Sequence, residues 1–334
     1  DGSQETLPAD KIIIATGSES AKPSLFPFEG EKIITSKEAL SLEKIPESLL
    51  IVGAGAIGVE FACIFAALGT AVTIVEMLPQ ILPTEDAEIA RELEKQLRRK
   101  RIKIYTGTKI EAVDSPQSTV RSTLSSGETI ETEKMLVAVG RKLNSAGLGL
   151  EEIGIKMERG RIVVNEKLET NVAGIYAIGD VVGGTLLAHK ASSEGIVAAE
   201  NASGQDSVMD YQAVPGCIFT RPEVASVGLS EQKAKEAGYE IKIGRFPFRA
   251  LGKALALGQV EGMIKIVAEA ESDEILGIHI IGPHATDLIA EGVLAIKTEI
   301  TVEELGKAIH AHPTLAEGIM EAAHALHGKA IHLP

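Results

Sequence analysis

The sequence predicts an α/β protein, with one or more nucleotide-binding, Rossmann-like domains followed by an α+β domain. Three features point there. A glycine-rich turn, Gly53-Ala-Gly55-Ala-Ile-Gly58, lies between an apolar strand and a helix-forming run. Residues 5–18 and 128–141 repeat one another at an offset of 123. Beyond residue 206 the pattern changes to short strands with turn residues between them, then helices.

At 334 residues the chain is long enough for two or three domains, and 45% hydrophobic residues allow large cores. Aromatic residues are only 3% and Trp is absent, which excludes a base-stacking surface. With 33 Lys and Arg against 47 Asp and Glu, the net charge of −14 argues against polyanions and anionic membranes as partners. No apolar run is long enough to span a membrane. The first residues, "DGSQETLPAD", have no signal-peptide character and no initiator Met. The two cysteines, Cys63 in "EFACIFAALG" and Cys217 in "VPGCIFT", lie 154 residues apart and read as buried thiols of a cytoplasmic protein.

The glycine turn follows an apolar strand at 49–52 and opens a helix that runs to Leu68, stopped by Gly69. A second strand, 71–75, ends at Glu76, 18 residues after Gly58. Strand, glycine turn, helix, strand and terminal acid together form a dinucleotide fingerprint. Gly53 permits the tight turn, Gly55 admits a pyrophosphate, and Gly58 lets helix and strand pack closely. The helix N-terminus offers amides to the phosphates. Glu76 suits a ribose diol and repels a 2′-phosphate, and Met77 follows it rather than a basic residue, which favours NAD over NADP. Residues 84–101 read as an amphipathic helix with Ile89, Leu93 and Leu97 on one face and basic residues at a solvated end.

In the repeat, "ETLPADKIIIATGS" aligns with "ETIETEKMLVAVGR". The second copy closes the domain opened by Gly53, 87 residues before Gly140. The same spacing applied to Gly17 predicts a second dinucleotide domain opened upstream of Asp1. In "GIYAIGDV", Asp180 follows a strand and a glycine. It is placed either to bind a ligand hydroxyl or simply to close a turn. A small-residue helix is expected at 188–202, further helices at 285–297 and 301–309, and a last one from near Pro313. His312 and Glu317, in "HAHPTLAE", suit a carboxylate-held general base, and equally a histidine satisfied at a helix start. His310, His324, His327 and His332 lie close by in sequence, but no acidic or Cys set completes a ligand group, so no metal is expected.

The segments "IVGAGAIGVEFA", "ATGS", "VAVGRKLN", "GIYAIGDV", "LLAHKASSEG", "FTRPEVASVG" and "HAHPTLAE" follow the order and spacing of the flavoprotein disulfide reductases. Over essentially its whole length the chain resembles the dihydrolipoamide dehydrogenase branch of that family. The resemblance implies a remnant of an FAD-binding domain at 1–30, an NAD-binding domain at 31–145, a central FAD-contacting domain at 146–205, and an α+β dimerisation domain at 206–334. It further implies that Gly53, Ala54, Gly55, Ala56, Ile57, Gly58, Val59 and Glu60 hold NAD, with Glu60 near the nicotinamide and Glu76 on the ribose. Ile110 would contact adenine through its backbone, and Gly140 would close the NAD site. Thr16, Gly17, Ser18 and Asp180 would contact FAD, and Leu186, Leu187, Ala188 and His189 would lie beside the flavin. His312 and Glu317 match the catalytic pair, which reaches in from the partner of a homodimer. His310 is expected to play a structural role.

That family also carries an N-terminal FAD glycine turn and a redox CxxxxC pair, and this sequence has neither. The chain therefore resembles a truncated member, inactive by itself. The activity implied for the complete protein is oxidation of the lipoyl domains of 2-oxo acid dehydrogenase complexes with NAD+. Two other readings are a non-enzymatic fragment that binds NAD(H) and dimerises, and a glutathione-reductase-like enzyme. Met77-Leu78 supply no cation for the NADPH that the latter would use.

Overall fold

The structure, a computed structural model, describes residues 5–115 and 118–333. It divides into two compact units: Asp1–Ala21 with Gly140–Tyr211, and Lys22–Val139 with Gln212–Pro334.

In the first unit, β1 (Ile12–Ile14) runs parallel to β14 (Ile175–Ala177), and β2 (Ser18–Ser20) pairs antiparallel with β11 (Arg141–Leu143). β12 (Met157–Glu158) and β13 (Arg161–Ile162) form a hairpin. The short turn Gly179–Val182 leads towards helix α4 (Ala188–Ala202), which has the bounds expected from the sequence. β2 and β11 directly follow Gly17 and Gly140, so the two copies of the repeat end in strands that pair with each other. The core is small, built on Ile162, Ala177 and Val181, with Tyr176 and Ala198 in a second cluster.

The second unit holds a parallel sheet in the order β3 (Ile33–Ile34), β10 (Lys134–Val137), β4 (Ser48–Val52), β5 (Ala71–Val75), β6 (Lys103–Tyr105). Leu49, Leu50 and Ile51 in β4 are wholly buried, as a strand covered on both faces requires. Helix α1 (Ser36–Ala39) begins in a capping box of Thr35 and Glu38. Helix α2 (Ala56–Ala67) ends at Leu68, before Gly69. Helix α3 (Ala87–Arg99) buries Ile89, Leu93 and Leu97, each worth about 1.5–3 kcal/mol against exposure. β7 (Ile110–Asp114), β8 (Val120–Leu124) and β9 (Thr129–Thr132) form a separate antiparallel sheet.

The same unit carries an antiparallel sheet in the order β15 (Gly216–Ile218), β16 (Glu223–Gly228), β19 (Ile275–Gly282), β18 (Met263–Glu269), β17 (Ile241–Pro247). Its helices are α5 (Glu231–Glu236), α6 (Gly252–Leu257), α7 (Ala285–Lys297), α8 (Val302–Lys307) and α9 (Glu317–Leu326). The capping box expected at Thr301 and Glu304 opens α8. The last helix begins at Glu317, not near Pro313. Thr314 turns the chain first, its hydroxyl donating to the Ala311 carbonyl at 2.7 Å. The cysteines depart from expectation too: Cys63 and Cys217 are only half-buried, because each lies at the margin of its cluster. Among the described residues no helix is long and apolar enough to cross a membrane.

Candidate functional site

β4 feeds the glycine turn. Gly53 has φ +99°, and a Cβ there would lie 2.5 Å from the Ala138 carbonyl oxygen. A Cβ on Gly58 would fall 1.9 Å from the Gly53 carbonyl oxygen, so only glycine lets α2 start this close to the strand end. Ala54 and Val59 are buried beneath the turn. Gly55 is the N-cap of α2, with no side-chain cap bond and open space where a Cβ would stand. No side chain therefore caps the first amides of the helix, the kind of donor group that takes an anion.

Glu76 stands at the end of β5, 6% exposed. One carboxylate oxygen accepts the Ala54 amide at 2.7 Å and the other the Leu78 amide at 2.8 Å. It thus fastens the glycine turn to the sheet edge, a role the sequence did not disclose. Each oxygen has a second lone pair, enough for a ribose diol. Glu60, on α2, accepts the Phe219 amide at 2.8 Å, and burial pushes its carboxyl above the usual range. The Ile110 side chain is packed in a core, so only its backbone can meet a ligand. Gly140, at φ +131°, falls in the first unit by contact.

In that first unit, the Ser18 hydroxyl donates to Asp180, and Arg141 Nε donates to Ser18 Oγ at 2.6 Å. Arg141 Nη2 also donates to the Ser18 carbonyl at 2.7 Å. Thr16 Oγ1 donates to the Asn144 carbonyl at 2.7 Å, and the Asn144 amide donates to the Gly17 carbonyl at 3.0 Å. Thr16, Gly17, Ser18 and Asp180 are thus brought together, held by Arg141 and Asn144. Sequence reasoning overlooked both, although the repeat had aligned Ser18 with Arg141. The turn bearing Asp180 is anchored by Glu194, which is wholly buried. Its carboxylate accepts the Gly179 amide at 2.7 Å, Lys190 Nζ at 2.9 Å and the Tyr211 hydroxyl at 2.7 Å. Burial and then Glu194 push the Tyr211 hydroxyl pKa well up. Leu186 and Leu187 are half-buried, and Ala188 and His189 are exposed at the start of α4.

The third group stands at the start of α9 and in the turn before it. His312 Nδ1 lies 2.8 Å from Glu317 Oε1, and Glu317 Oε2 accepts the Thr314 amide at 2.8 Å. A carboxylate only accepts, so Nδ1 carries the hydrogen and Nε2 is the basic nitrogen. The imidazole is 73% exposed, whereas Glu317 is buried. Burial pushes the Glu317 carboxyl up, but the Thr314 amide and the His312 ring outweigh it and hold it below the usual glutamate value. It stays ionised, able to orient an imidazole and stabilise an imidazolium. His310 is held by Glu291 and the Ala308 carbonyl. Burial raises the thiol pKa of both Cys63 and Cys217, so neither is an activated nucleophile. Among the described residues no group of three His, Cys, Asp or Glu could hold a metal.

Residues 1–195 match the model of the pyridine nucleotide-disulphide oxidoreductase family, and residues 214–323 match the dimerisation domain of that family. The chain is 49% identical over 336 residues to a dihydrolipoyl dehydrogenase of Thermus scotoductus, covering 98% of this chain and 72% of that protein. It is 47% identical to a dihydrolipoyl dehydrogenase of Bacillus subtilis, covering 96% of this chain and 69% of that protein. Among solved structures, LpdA from Mycobacterium tuberculosis superposes with a TM-score of 0.87 at 32% identity, covering 95% of this chain and 70% of that one.

Proposed function

Since the chain belongs to the pyridine nucleotide-disulphide oxidoreductase family, we propose that the protein oxidises the dihydrolipoyl groups of 2-oxo acid dehydrogenase complexes with NAD+. The single observation that supports this most is His312 held on a buried, ionised Glu317 in a chain that also bears a dinucleotide glycine turn. An imidazole so held removes a thiol proton, which is what oxidation of a dithiol needs first.

Bound FAD and NAD+ would supply the two-electron chemistry between dithiol and nicotinamide. The turn from Gly53 to Gly58 fits NAD, because a Cβ at Gly55 would meet nothing within 4 Å, no side chain caps α2, and Glu76 is already oriented by two amides. Ser18 and Asp180, steadied by Arg141, offer a polar edge for part of FAD. His312 Nε2 accepts the thiol proton in the exposed turn that precedes α9. Glu317 keeps the other nitrogen protonated and balances the charge of the imidazolium. The Thr314 amide keeps Glu317 ionised. By the family pattern, His312 serves the partner subunit of a homodimer formed through residues 206–334.

The redox disulfide is the part this sequence does not furnish. Cys63 sits on α2 and Cys217 on β15, both with raised thiol pKa values. The reading assigns the disulfide, and most of the FAD site, to residues outside these 334, and expects these 334 alone to be inactive. The test is NADH formation from dihydrolipoamide by the intact flavoprotein, with H312Q beside it. An intact flavoprotein that forms no NADH, or one that binds NADPH more tightly than NADH, would sink the assignment.

A further inference from the structure

Ala54, the second residue of the glycine turn, is held at both of its peptide groups. Glu76 accepts its N–H at 2.7 Å, and its carbonyl accepts the Leu82 amide at 2.8 Å. The peptide from Ala54 to Gly55 is trans and planar. A carbonyl fixed towards Leu82 therefore fixes the Gly55 N–H in the opposite direction. Leu82 belongs to the strap 77–85, which joins β5 to α3. Glu76 holds the near end of the strap through the Leu78 amide. Within it, the Glu85 amide donates to the Leu82 carbonyl at 3.0 Å, and Ile81 and Leu82 are buried. Leu82 has φ +46°, a conformation that a leucine keeps only where its surroundings impose it. The far end of the strap is Asp86. It caps α3 through the Glu88 amide, and its other oxygen accepts the Glu231 amide of α5 at 3.2 Å. Lys265 of β18 donates to both of its oxygens. Glu231 and Lys265 both lie in residues 214–323, the part that matches the dimerisation domain.

We propose that Lys265 is a positioning residue for the dinucleotide: from the dimerisation domain it pins the strap that orients the Ala54 and Gly55 peptides towards a pyrophosphate. This rests on the reading of the glycine turn as the NAD site. Without the ammonium, Asp86 is a buried carboxylate short of donors, and it moves towards water. The cap of α3 and the turn from Leu82 to Glu85 loosen with it. The strained backbone of Leu82 then relaxes away from Ala54, and the Gly55 N–H loses its fixed direction. A pyrophosphate must reorder that peptide before it can bind, which weakens binding. Coupling of this kind is reciprocal, so bound NADH must in turn stabilise the contact between Lys265 and Asp86.

The test uses the intact, FAD-loaded homodimer, with NADH binding followed by titration calorimetry. Lys265→Met should raise the Kd for NADH by roughly 2- to 30-fold. Because K265M strands Asp86, the double variant D86N/K265M is measured beside it. The double variant has no charge at either position, and Asn still caps α3. Glu88 and Glu231 keep Arg245 as a partner. Its Tm should lie above that of K265M while its Kd for NADH stays raised. The KM for NAD+ should rise with it, and the KM for dihydrolipoamide should not. An ion pair that serves stability alone would let affinity recover together with Tm, and that result overturns the proposal. A wild-type protein that binds no NADH would instead refute the nucleotide site itself. A second measurement needs no variant. In the wild type, NADH should slow hydrogen exchange at the Leu82, Glu88 and Glu231 amides by more than at those of α7. Unchanged exchange at Glu231 overturns the pinning as well.

Discussion

Lys265 Nζ lies 2.9 and 3.0 Å from the two carboxylate oxygens of Asp86, a residue 179 positions away, with both side chains at most 2% exposed. Asp86 is also the N-cap of α3, accepting the Glu88 amide at 3.0 Å. The pair therefore ties the start of the α3 helix to β18 of the antiparallel sheet. Glu231 and Glu88 complete the shell of the ammonium at 2.8 and 3.1 Å.

Removing one partner should strand a buried charge. D86N or K265M is expected to cost about 3–5 kcal/mol, and a double replacement by apolar residues much less than the sum. Denaturant unfolding of the singles and the double would check this. Burial pushes the Asp86 carboxyl up, but Lys265 outweighs it and holds the group below its usual range. A depressed carboxyl contributes stability above its unfolded pKa of about 3.9, and that stability is lost as pH falls through the folded value. The wild-type protein should thus lose stability in acid more steeply than D86N.

His310 has acceptors at both nitrogens, the Ala308 carbonyl at 2.9 Å and Glu291 at 2.7 Å. Both N–H groups must donate, which requires the imidazolium. Glu291 raises its pKa, against the pull of burial. Stability from a raised histidine is full below its unfolded pKa of about 6.5 and is lost as pH rises through the folded value. Tm should therefore fall between neutral and mildly alkaline pH, and E291Q should flatten that fall. An E291Q profile that parallels the wild type would refute the pairing.

Gly58→Ala should be destabilising by about 1–3 kcal/mol or more, because its methyl has no room beside the Gly53 carbonyl. NAD(H) affinity should fall with it. Gly252→Ala is the control: a Cβ there meets nothing within 4 Å, and Tm and NADH binding should stay as they are.

H312Q should lower kcat/KM with dihydrolipoamide by roughly 100- to 10,000-fold. E317Q keeps an acceptor for the ring but removes the charge, so its loss should be smaller. Steady-state rates of both variants in the intact flavoprotein decide this, and a larger loss in E317Q would reverse the assigned roles.

Much of the scaffold was legible in the sequence because its causes are local. The bounds of α4 and α7, the capping box of α8 and the buried stripe of α3 all follow from periodicity and hydrogen bonds within a few residues. The start of α9 was misjudged, since Pro313 suits a first turn but Thr314 and Glu317 close a different one before the helix begins. Arg141 was passed over because a lone basic residue after a strand looks like any solvated side chain until Ser18 is folded against it.

By itself the sequence determined the glycine turn, with Gly53, Gly58 and the acid at the end of the next strand, because sterics at such a turn leave few alternatives; it placed Glu317 within reach of His312 but left open whether the two would meet. The tertiary structure alone decided which buried charges meet: Lys265 with Asp86, Lys190 and Tyr211 with Glu194, His310 with Glu291 and His332 with Glu321. A buried ionised group is tolerated only beside a partner that offsets its lost hydration, and that partner can come from anywhere in the chain.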